Sequence, residues 1–314
     1  MMIPLLLFSL GIALLWSGTD VVVRRIPKIA AWLRVSPLIV TVLLVAVMTS
    51  LPELCVSLFA SLRGQPSAAM GNIVGSNFVT LTFVAGICAL WRPIVVGPTI
   101  RERESSWMIL SAALLLVLAM DGTLSRTDGV ILIAAYIPYF RGTLDDARQQ
   151  RRAPSTTFIP HPGLDVLFIV IGIGMIILGA SWIVDQGTLL ARHLGMSDLL
   201  IGVTFYAFGT SLPELAIALG AVLHHQADVT LGEIYASNIF TGLVVAGIIC
   251  LVRPLTIEPL ITDRDLPLLI VAGVLLQMFV TTQGKFMRSE ALVMIALFVL
   301  FLSAQLMGFS LALP

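Results

Sequence analysis

Two glutamates lie deep inside apolar segments of this chain, in a motif that occurs twice. The sequence Thr-Ser-Leu-Pro-Glu-Leu spans residues 49–54 and returns at 210–215, which places Glu53 and Glu214 at equivalent positions. If these segments cross a membrane, each buried carboxylate costs roughly 2–3 kcal/mol or more. Such side chains usually bind ions or protons, and the alternative is a glutamate that only bonds neighbouring hydroxyls or backbone groups. We predict that both glutamates form the centre of a cation site.

Further oxygen atoms lie next to each glutamate. Pro52 and Pro213 remove a backbone hydrogen bond and leave a carbonyl oxygen upstream without its helical partner. Hydroxyls about one turn before the glutamates belong to Thr49, Ser50, Thr210 and Ser211. Carboxylate, carbonyl and hydroxyl oxygens suit hard cations such as Na⁺ and Ca²⁺ rather than zinc or copper.

The next apolar segment of each half contains a row of polar side chains. The members of each row are four residues apart and therefore share one helix face: Asn72, Ser76 and Thr80 in the first half, and Glu233, Ser237 and Thr241 in the second. We predict that the serines and threonines of these rows contact the cation. Asn77 and Asn238 point elsewhere and are expected to bond neighbouring helices.

The two halves of the chain are copies of each other. Residues 36–93 align with residues 197–254 without a gap at a shift of 161 positions, and 26 of the 58 pairs are identical. The identical pairs include proline, glutamate, serine and asparagine, which two unrelated apolar stretches would not share in register. The sequence is therefore an internal duplication.

The composition indicates a membrane protein. Apolar residues make up 58% of the 314 positions and charged residues only 11%, whereas an ordinary soluble domain has about 25% charged residues. With a mean hydropathy of +1.02, the surface has to be covered by membrane lipid. The formal net charge of zero argues against nucleic acid as a partner. No cofactor is expected besides the transported cations, because the histidines and cysteines lack metal-ligand spacing.

Apolar windows long enough to cross a membrane occur at about ten places. We predict spans at 3–23, 36–62, 70–90, 106–120, 127–140, 164–184, 197–222, 229–250, 265–281 and 290–311. A polar, solvent-exposed connection at 141–163 separates a first repeat (1–140) from a second (164–314). Because five spans per repeat is an odd number, the second repeat must enter the membrane from the opposite side. The predicted fold is an all-α membrane protein of two inverted five-helix repeats.

The basic residues predict an orientation for this bundle. Of the 18 lysines and arginines, 13 lie in the odd-numbered connections. The positive-inside rule assigns those connections to the cytoplasm and both termini to the outside.

The paired motifs resemble the alpha-repeats of the cation/calcium exchanger superfamily. The resemblance rests on TSLPEL followed by GNIVGSN in the first half, and on FGTSLPEL followed by GEIYASNIF in the second. It implies a prokaryotic sodium/calcium exchanger-like protein of ten spans in the plasma (inner) membrane, which exchanges Ca²⁺ against Na⁺ or H⁺ by alternating access. Carried over, Glu53 and Glu214 are the coordinating carboxylates. The motif hydroxyls at 49, 50, 76, 210, 211 and 237 are their helpers.

Three positions depart from the family pattern. Thr80 and Thr241 stand where these exchangers typically have Asn in one repeat and Asp in the other, which leaves two carboxylates at the centre. Ion selectivity and coupling ratio therefore stay open. Glu233 replaces an expected Asn and lies about 12 Å along its helix from Thr241. One hypothesis is that it lies at the mouth of the ion path and attracts cations. The reading preferred from the sequence is an exposed interfacial glutamate beside the 224–228 loop.

The function predicted from these residues is secondary active antiport, with Ca²⁺ exchanged for Na⁺ at a midplane carboxylate site. Alternatives are a Ca²⁺/H⁺ or monovalent-cation/H⁺ antiporter and, from another class, a passive cation channel or a non-transporting membrane binding protein. An enzyme is not expected, because Ser50 and Ser211 lack the histidine partner that a hydrolase nucleophile needs. The sequence leaves the oligomeric state open.

Overall fold

The computed structural model describes residues 2–149, 162–193, 207–282 and 284–311, which are almost entirely helical. The predicted connection at 150–161 and the beginning of the seventh predicted span at 197–206 lie outside the described residues. The helices in chain order are α1 (Met2–Leu33), α2 (Pro37–Val40), α3 (Ala46–Thr49), α4 (Leu51–Leu62), α5 (Pro66–Val79), α6 (Ala85–Trp91), α7 (Ser105–Ala119), α8 (Arg126–Gln149), α9 (Pro162–His193), α10 (Ala207–Gly209), α11 (Leu212–Leu223), α12 (Ala227–Phe240), α13 (Ala246–Val252), α14 (Leu266–Thr282) and α15 (Arg288–Leu311).

Short π-helical segments join or begin several of these helices. They are Thr41–Val45 between α2 and α3, Thr80–Val84 between α5 and α6, Ile100–Glu104 before α7, Thr241–Val245 between α12 and α13, and Ile261–Asp265 before α14. The segments that start at Thr80 and Ile100 in the first half have equivalents at the same shift of 161 residues in the second. Since π turns are often found at functional sites, the segments that begin at Thr80 and Thr241 mark the region around the carboxylates.

Seven helical stretches among the described residues are long and apolar enough to cross a membrane. They are Ile3–Leu33, Pro37–Leu62, Pro66–Trp91, Gly163–Gly187, Ala227–Val252, Ile261–Thr282 and Arg288–Gln305. The other three predicted spans correspond to α7, to α8 and to α11 with the undescribed residues before it. Among those three, α11 is apolar but short, and α8 is polar at its C-terminal end.

Burial divides the spans into a centre and a periphery. In an apolar 18-residue window, 78% of Pro66–Trp91 and 83% of Ala227–Val252 is buried, against 28% for Ile3–Leu33 and 22% for Arg288–Gln305. Large apolar side chains on the outer helices, such as Leu300, stay exposed. This is the pattern of a bundle whose outer helices face lipid.

Helices α1 and α9 pack along their length through glycines. A Cβ atom on Gly11 would lie 2.9 Å from the carbonyl oxygen of Gly179, and one on Gly18 would lie 2.6 Å from that of Gly172. Because 11 pairs with 179 and 18 with 172, the two helices run antiparallel. Small residues permit this close approach of backbones, as in other membrane helix pairs.

Four two-residue strands in the described part of the chain connect its two halves. Strand β1 (Ile94–Val95) pairs antiparallel with β4 (Lys285–Phe286), and β2 (Thr123–Leu124) pairs antiparallel with β3 (Leu255–Thr256). Each pair takes one strand from either half. The ends of the central helices α6 and α13, which precede β1 and β3, are thereby fixed to the opposite half.

The predicted exposed connection at 141–163 is partly wrong. Helix α8 continues to Gln149, and Thr143 within it is fully buried. Arg103, next to α7, forms an ion pair with Asp146 of α8. The side chains that are exposed as predicted are Arg141, Asp145 and Arg148. Asp146 instead pairs within the protein, which a hydropathy profile does not distinguish from solvent exposure.

Candidate functional site

The two TSLPEL motifs produce the same local structure, a break between two helical segments. Ser50 has φ −82° and ψ 5° and Ser211 has φ −88° and ψ 3°, both outside the helical range. The proline two residues later has no N–H, so the ladder of backbone hydrogen bonds cannot continue through it. Glu53 and Glu214 consequently lie in the first turn of a new helix, α4 and α11 respectively.

Both glutamates are buried, and most of their carboxylate oxygens lack partners. Glu53 and Glu214 are each 2% exposed. Among the described residues, neither Glu53 oxygen nor Glu214 Oε2 accepts a well-formed hydrogen bond. The nearest hydroxyls come from the opposite motifs, Thr210 beside Glu53 and Thr49 beside Glu214. Buried polar groups are hydrogen-bonded in the great majority of cases, and a buried charge is normally paired or bound to a metal ion. The unpaired oxygens therefore fit cation ligands better than structural side chains.

Glu233 lies inside this buried cluster, contrary to both readings of it from the sequence. The side chain is 0% exposed, and the Thr49 hydroxyl donates to Glu233 Oε1 at 2.6 Å. Glu233 also interacts electrostatically with Glu53 and Glu214. The distance along its own helix was a poor guide, because the residue next to Glu233 comes from the other half of the chain.

The corresponding contact in the first half involves Asn72. Thr210 donates to Asn72 Oδ1 at 3.4 Å, just as Thr49 donates to Glu233. The amide nitrogen of Asn72 donates to Ser57 Oγ at 2.9 Å and lies 3.4 Å from the main-chain oxygen of Glu53. The threonine of each motif thus reaches across to the other half.

The remaining predicted hydroxyls are buried near the carboxylates but bond to backbone oxygens. Ser50 donates to Ala46, Ser76 to Ile73 and Ser237 to Ile234, each within its own helical span. Ser211 Oγ is buried and has no partner among the described residues. These four hydroxyls are placed close to the site without contacting a carboxylate, so their role as ligands stays a prediction.

Thr80, Thr241 and the two asparagines lie at the contact between the central helices. Asn238 Nδ2 donates to Thr80 Oγ1 at 2.6 Å, and Asn77 Nδ2 donates to the main-chain oxygen of Asn238 at 3.3 Å. Thr241 is 2% exposed at the start of its π segment. The bonding role expected for the asparagines agrees with these contacts, and Thr80 takes part in the same network.

Sequence reasoning missed Ser57 as a member of this polar network. Ser57 is fully buried on α4 and accepts a hydrogen bond from Asn72. It follows Glu53 by four residues, so it shares a helix face with that glutamate. That spacing was a usable signal, although Ser57 has no equivalent in the second half, where the position is Ala218.

The fold and the site together define a class of protein. Among the described residues, the bundle contains three buried carboxylates that are not paired with an arginine, Glu53, Glu214 and Glu233. Hydroxyls and broken backbone lie beside them. Discontinuous helices that meet where two internal repeats join are typical of secondary transporters.

Comparison with known proteins identifies the family. The family described as sodium/calcium exchanger protein matches residues 3–141 and 164–307. The inner membrane protein YrbG of Escherichia coli (strain K12) is 33% identical over 285 residues, which cover 88% of either chain. The putative antiporter CaxA of Alkalimonas amylolytica is 31% identical over 99% of this chain and 100% of its own length.

A solved structure gives the same result for the fold. The sodium–calcium exchanger NCX_Mj, in crystals soaked with zero Na⁺ and Ca²⁺, superposes with a TM-score of 0.85 at 28% identity. The match covers 97% of this chain and 99% of that one. The chain belongs to the sodium/calcium exchanger family; it is an integral membrane cation antiporter rather than an enzyme.

Proposed function

We propose that this antiporter exchanges Ca²⁺ for Na⁺ by alternating access, and that Glu53 and Glu214 bind the exchanged cations. The observation that supports the proposal most strongly is the burial of these carboxylates at the two helix breaks with unpaired oxygens. Similarity to the sodium–calcium exchanger NCX_Mj over nearly the whole chain supports the choice of ions.

Exchange follows if Ca²⁺ and Na⁺ bind to the same ligands. Two carboxylates neutralise one Ca²⁺ or two Na⁺, so either load leaves the site with the same charge. Oxygen ligands from Thr49, Ser50, Thr210 and Ser211 extend the coordination of either ion. Because both ions need Glu53 and Glu214, they compete, and the occupied site is then exposed to alternate sides.

We further propose that the chain forms ten spans in two inverted repeats, residues 1–140 and 164–314, joined by residues 141–163. The antiparallel pairing of α1 with α9, which begin the two repeats, supports the inversion. The strand pairs support the span count. With ten spans, β1 and β4 both follow an odd-numbered span, and β2 and β3 both follow an even-numbered one, so each pair lies on one side of the membrane.

The orientation proposed for this bundle has both termini outside and the odd-numbered connections in the cytoplasm. The excess of lysine and arginine in the odd-numbered connections supports it. The similarity to an inner membrane protein of Escherichia coli supports the plasma membrane of a prokaryote as the location.

The proposal is tested by ⁴⁵Ca²⁺ uptake into proteoliposomes loaded with Na⁺. We expect uptake that follows the outward Na⁺ gradient and disappears in Glu53→Gln and in Glu214→Gln. As a matched control, Glu258→Gln changes a glutamate on the loop before α14, and uptake should persist.

The same preparation distinguishes the alternatives. Uptake driven by a pH gradient without Na⁺ would indicate a Ca²⁺/H⁺ antiporter. Flux of cations without any counter-ion would indicate a channel. Cation binding without flux in any gradient would indicate a binding protein, and each of these results would contradict Ca²⁺/Na⁺ exchange.

A further inference from the structure

The two halves of the site differ at one pair of equivalent positions, Asn72 and Glu233. In the first half, Asn72 is satisfied as both donor and acceptor: it bonds Ser57, and it accepts from Thr210. In the second half, Glu233 Oε1 accepts from Thr49, but Oε2 has no partner among the described residues.

The cause of this difference is a second substitution between the repeats. The position equivalent to Ser57 is Ala218, which is 0% exposed and has no hydroxyl to offer. The main-chain oxygen of Glu214 is the equivalent of the acceptor near Asn72 in the first half, and a carboxylate there presents another acceptor instead of a donor. Groups that all accept are held together by a bound positive charge.

Oxygen atoms surround Thr49 closely enough to suggest where that charge binds. Besides Glu233 Oε1 at 2.6 Å, the Thr49 hydroxyl lies 3.2 Å from the Val45 carbonyl oxygen and 3.1 Å from that of Ala46. A hydroxyl has one proton to donate, and the shortest of these contacts directs it to Glu233 Oε1. The Ala46 oxygen already accepts from Ser50, so the oxygens left to face a cation are the Thr49 hydroxyl oxygen and Glu233 Oε2. Oxygen-only surroundings suit hard ions.

The number of carboxylates also exceeds what one Ca²⁺ neutralises. Glu53, Glu214 and Glu233 are all at most 2% exposed, and a Ca²⁺ balances two of them. In the described part of the chain, no three acidic, histidine or cysteine side chains are arranged to hold one metal ion together. The third carboxylate is therefore suited to an ion of its own with a single charge.

We propose that Glu233 forms an additional subsite for a monovalent metal cation, Na⁺, which adjoins the ions held by Glu53 and Glu214 and shares the Thr49 hydroxyl with them. The choice of Na⁺ rests on the proposed exchange function. The subsite adds one Na⁺ to the number that the protein binds, and so adds one to the Na⁺ ions coupled to each Ca²⁺.

The test is equilibrium binding of ²²Na⁺ to the purified full chain in detergent. The main variant is the double substitution Ala218→Ser with Glu233→Asn, which rebuilds in the second half the Asn72–Ser57 arrangement that the first half already folds with. Glu233→Gln is a second variant, which keeps the side-chain length and removes only the charge.

We expect both variants to bind one Na⁺ fewer per chain than the wild type at saturation, with ⁴⁵Ca²⁺ binding retained. Retained Ca²⁺ binding also shows that a variant is folded. In proteoliposomes, both variants should keep Ca²⁺/Ca²⁺ self-exchange while moving one Na⁺ fewer per Ca²⁺.

Two results would overturn the inference. An unchanged Na⁺ count means that Glu233 is neutralised by something other than Na⁺, such as a proton. Loss of Ca²⁺ binding in folded Glu233→Gln means that Glu233 belongs to the Ca²⁺ site itself. If the wild type moves no Ca²⁺, the proposed exchange fails, but the Na⁺ count still decides whether this subsite exists.

Discussion

The glycine contact between α1 and α9 gives a prediction for which the same helix offers a matched control. A Cβ atom on Gly179 would lie 2.6 Å from the carbonyl oxygen of Gly11 and 2.7 Å from the backbone nitrogen of Leu15. Ordinary van der Waals contact begins at 3.4 Å. Both obstructing atoms are backbone, so Gly179→Ala has to push the two helices apart along a contact that runs their length.

The control is Gly174→Ala on the same helix, where a Cβ atom would meet no heavy atom of the described residues within 4 Å. Both substitutions gain the same helix propensity, about 1 kcal/mol, so the difference between them isolates the contact. Overpacking of this kind costs about 1–3 kcal/mol. Each kcal/mol lowers the midpoint of thermal unfolding by roughly 2 °C or less in a chain of this length.

The assay is thermal unfolding of both purified variants in the same detergent, followed by the Na⁺-driven uptake of Ca²⁺. We expect Gly179→Ala to unfold at a lower temperature than Gly174→Ala and to exchange more slowly. Equal midpoints and equal rates would refute the close antiparallel contact of α1 with α9.

Three further predictions concern single hydrogen bonds and ion pairs. Thr49→Val should lower Na⁺-driven uptake because it removes the hydroxyl that faces the carboxylates. The control is Thr41→Val, whose hydroxyl bonds to its own helix and which should leave uptake unchanged. Equal uptake in the two variants would contradict a role for Thr49 in the cation site. Asn238→Leu should destabilise the fold by about 1–3 kcal/mol, measured by thermal unfolding, because it removes a bond between the halves. Glu104→Gln should cost about 1–3 kcal/mol in the same assay, because it weakens the bonds that the fully buried Glu104 accepts from Arg103 and Tyr139, while Arg103 keeps Asp146. An unfolding midpoint like that of the wild type would exclude a structural ion pair there.

The repeat made the central part of the site readable from the sequence. Because Glu53 and Glu214 recur with their proline at a fixed shift, their burial at helix breaks followed from the cost of placing carboxylates among apolar residues. The bonding role of Asn77 and Asn238 followed from their residue type and their place in a membrane helix.

Contacts between the two halves of the chain could not be predicted from the repeat or from the residue types. Glu233 was placed by its distance from Thr241 along one helix, whereas its partner Thr49 is 184 positions away in sequence. Helix α8 was ended too early because hydropathy does not report ion pairs such as the one between Arg103 and Asp146. Periodicity describes one helix at a time, and these features depend on which helices become neighbours.

The two strand pairs have a mechanical consequence. Each pair ties a connection of one half to a connection of the other, and under the proposed topology the pairs lie on opposite faces of the membrane. Each central span, α5–α6 and α12–α13, is thus fixed at its C-terminal end, one on either face of the membrane. Tilting either span would require breaking its strand pair. Among the described strands, none ties the α1–α9 pair to the other helices. The contact between α1 and α9 consists of glycines without side chains that interlock. We therefore expect α1 and α9 to move during transport, while the central helices that the strand pairs fix stay in place.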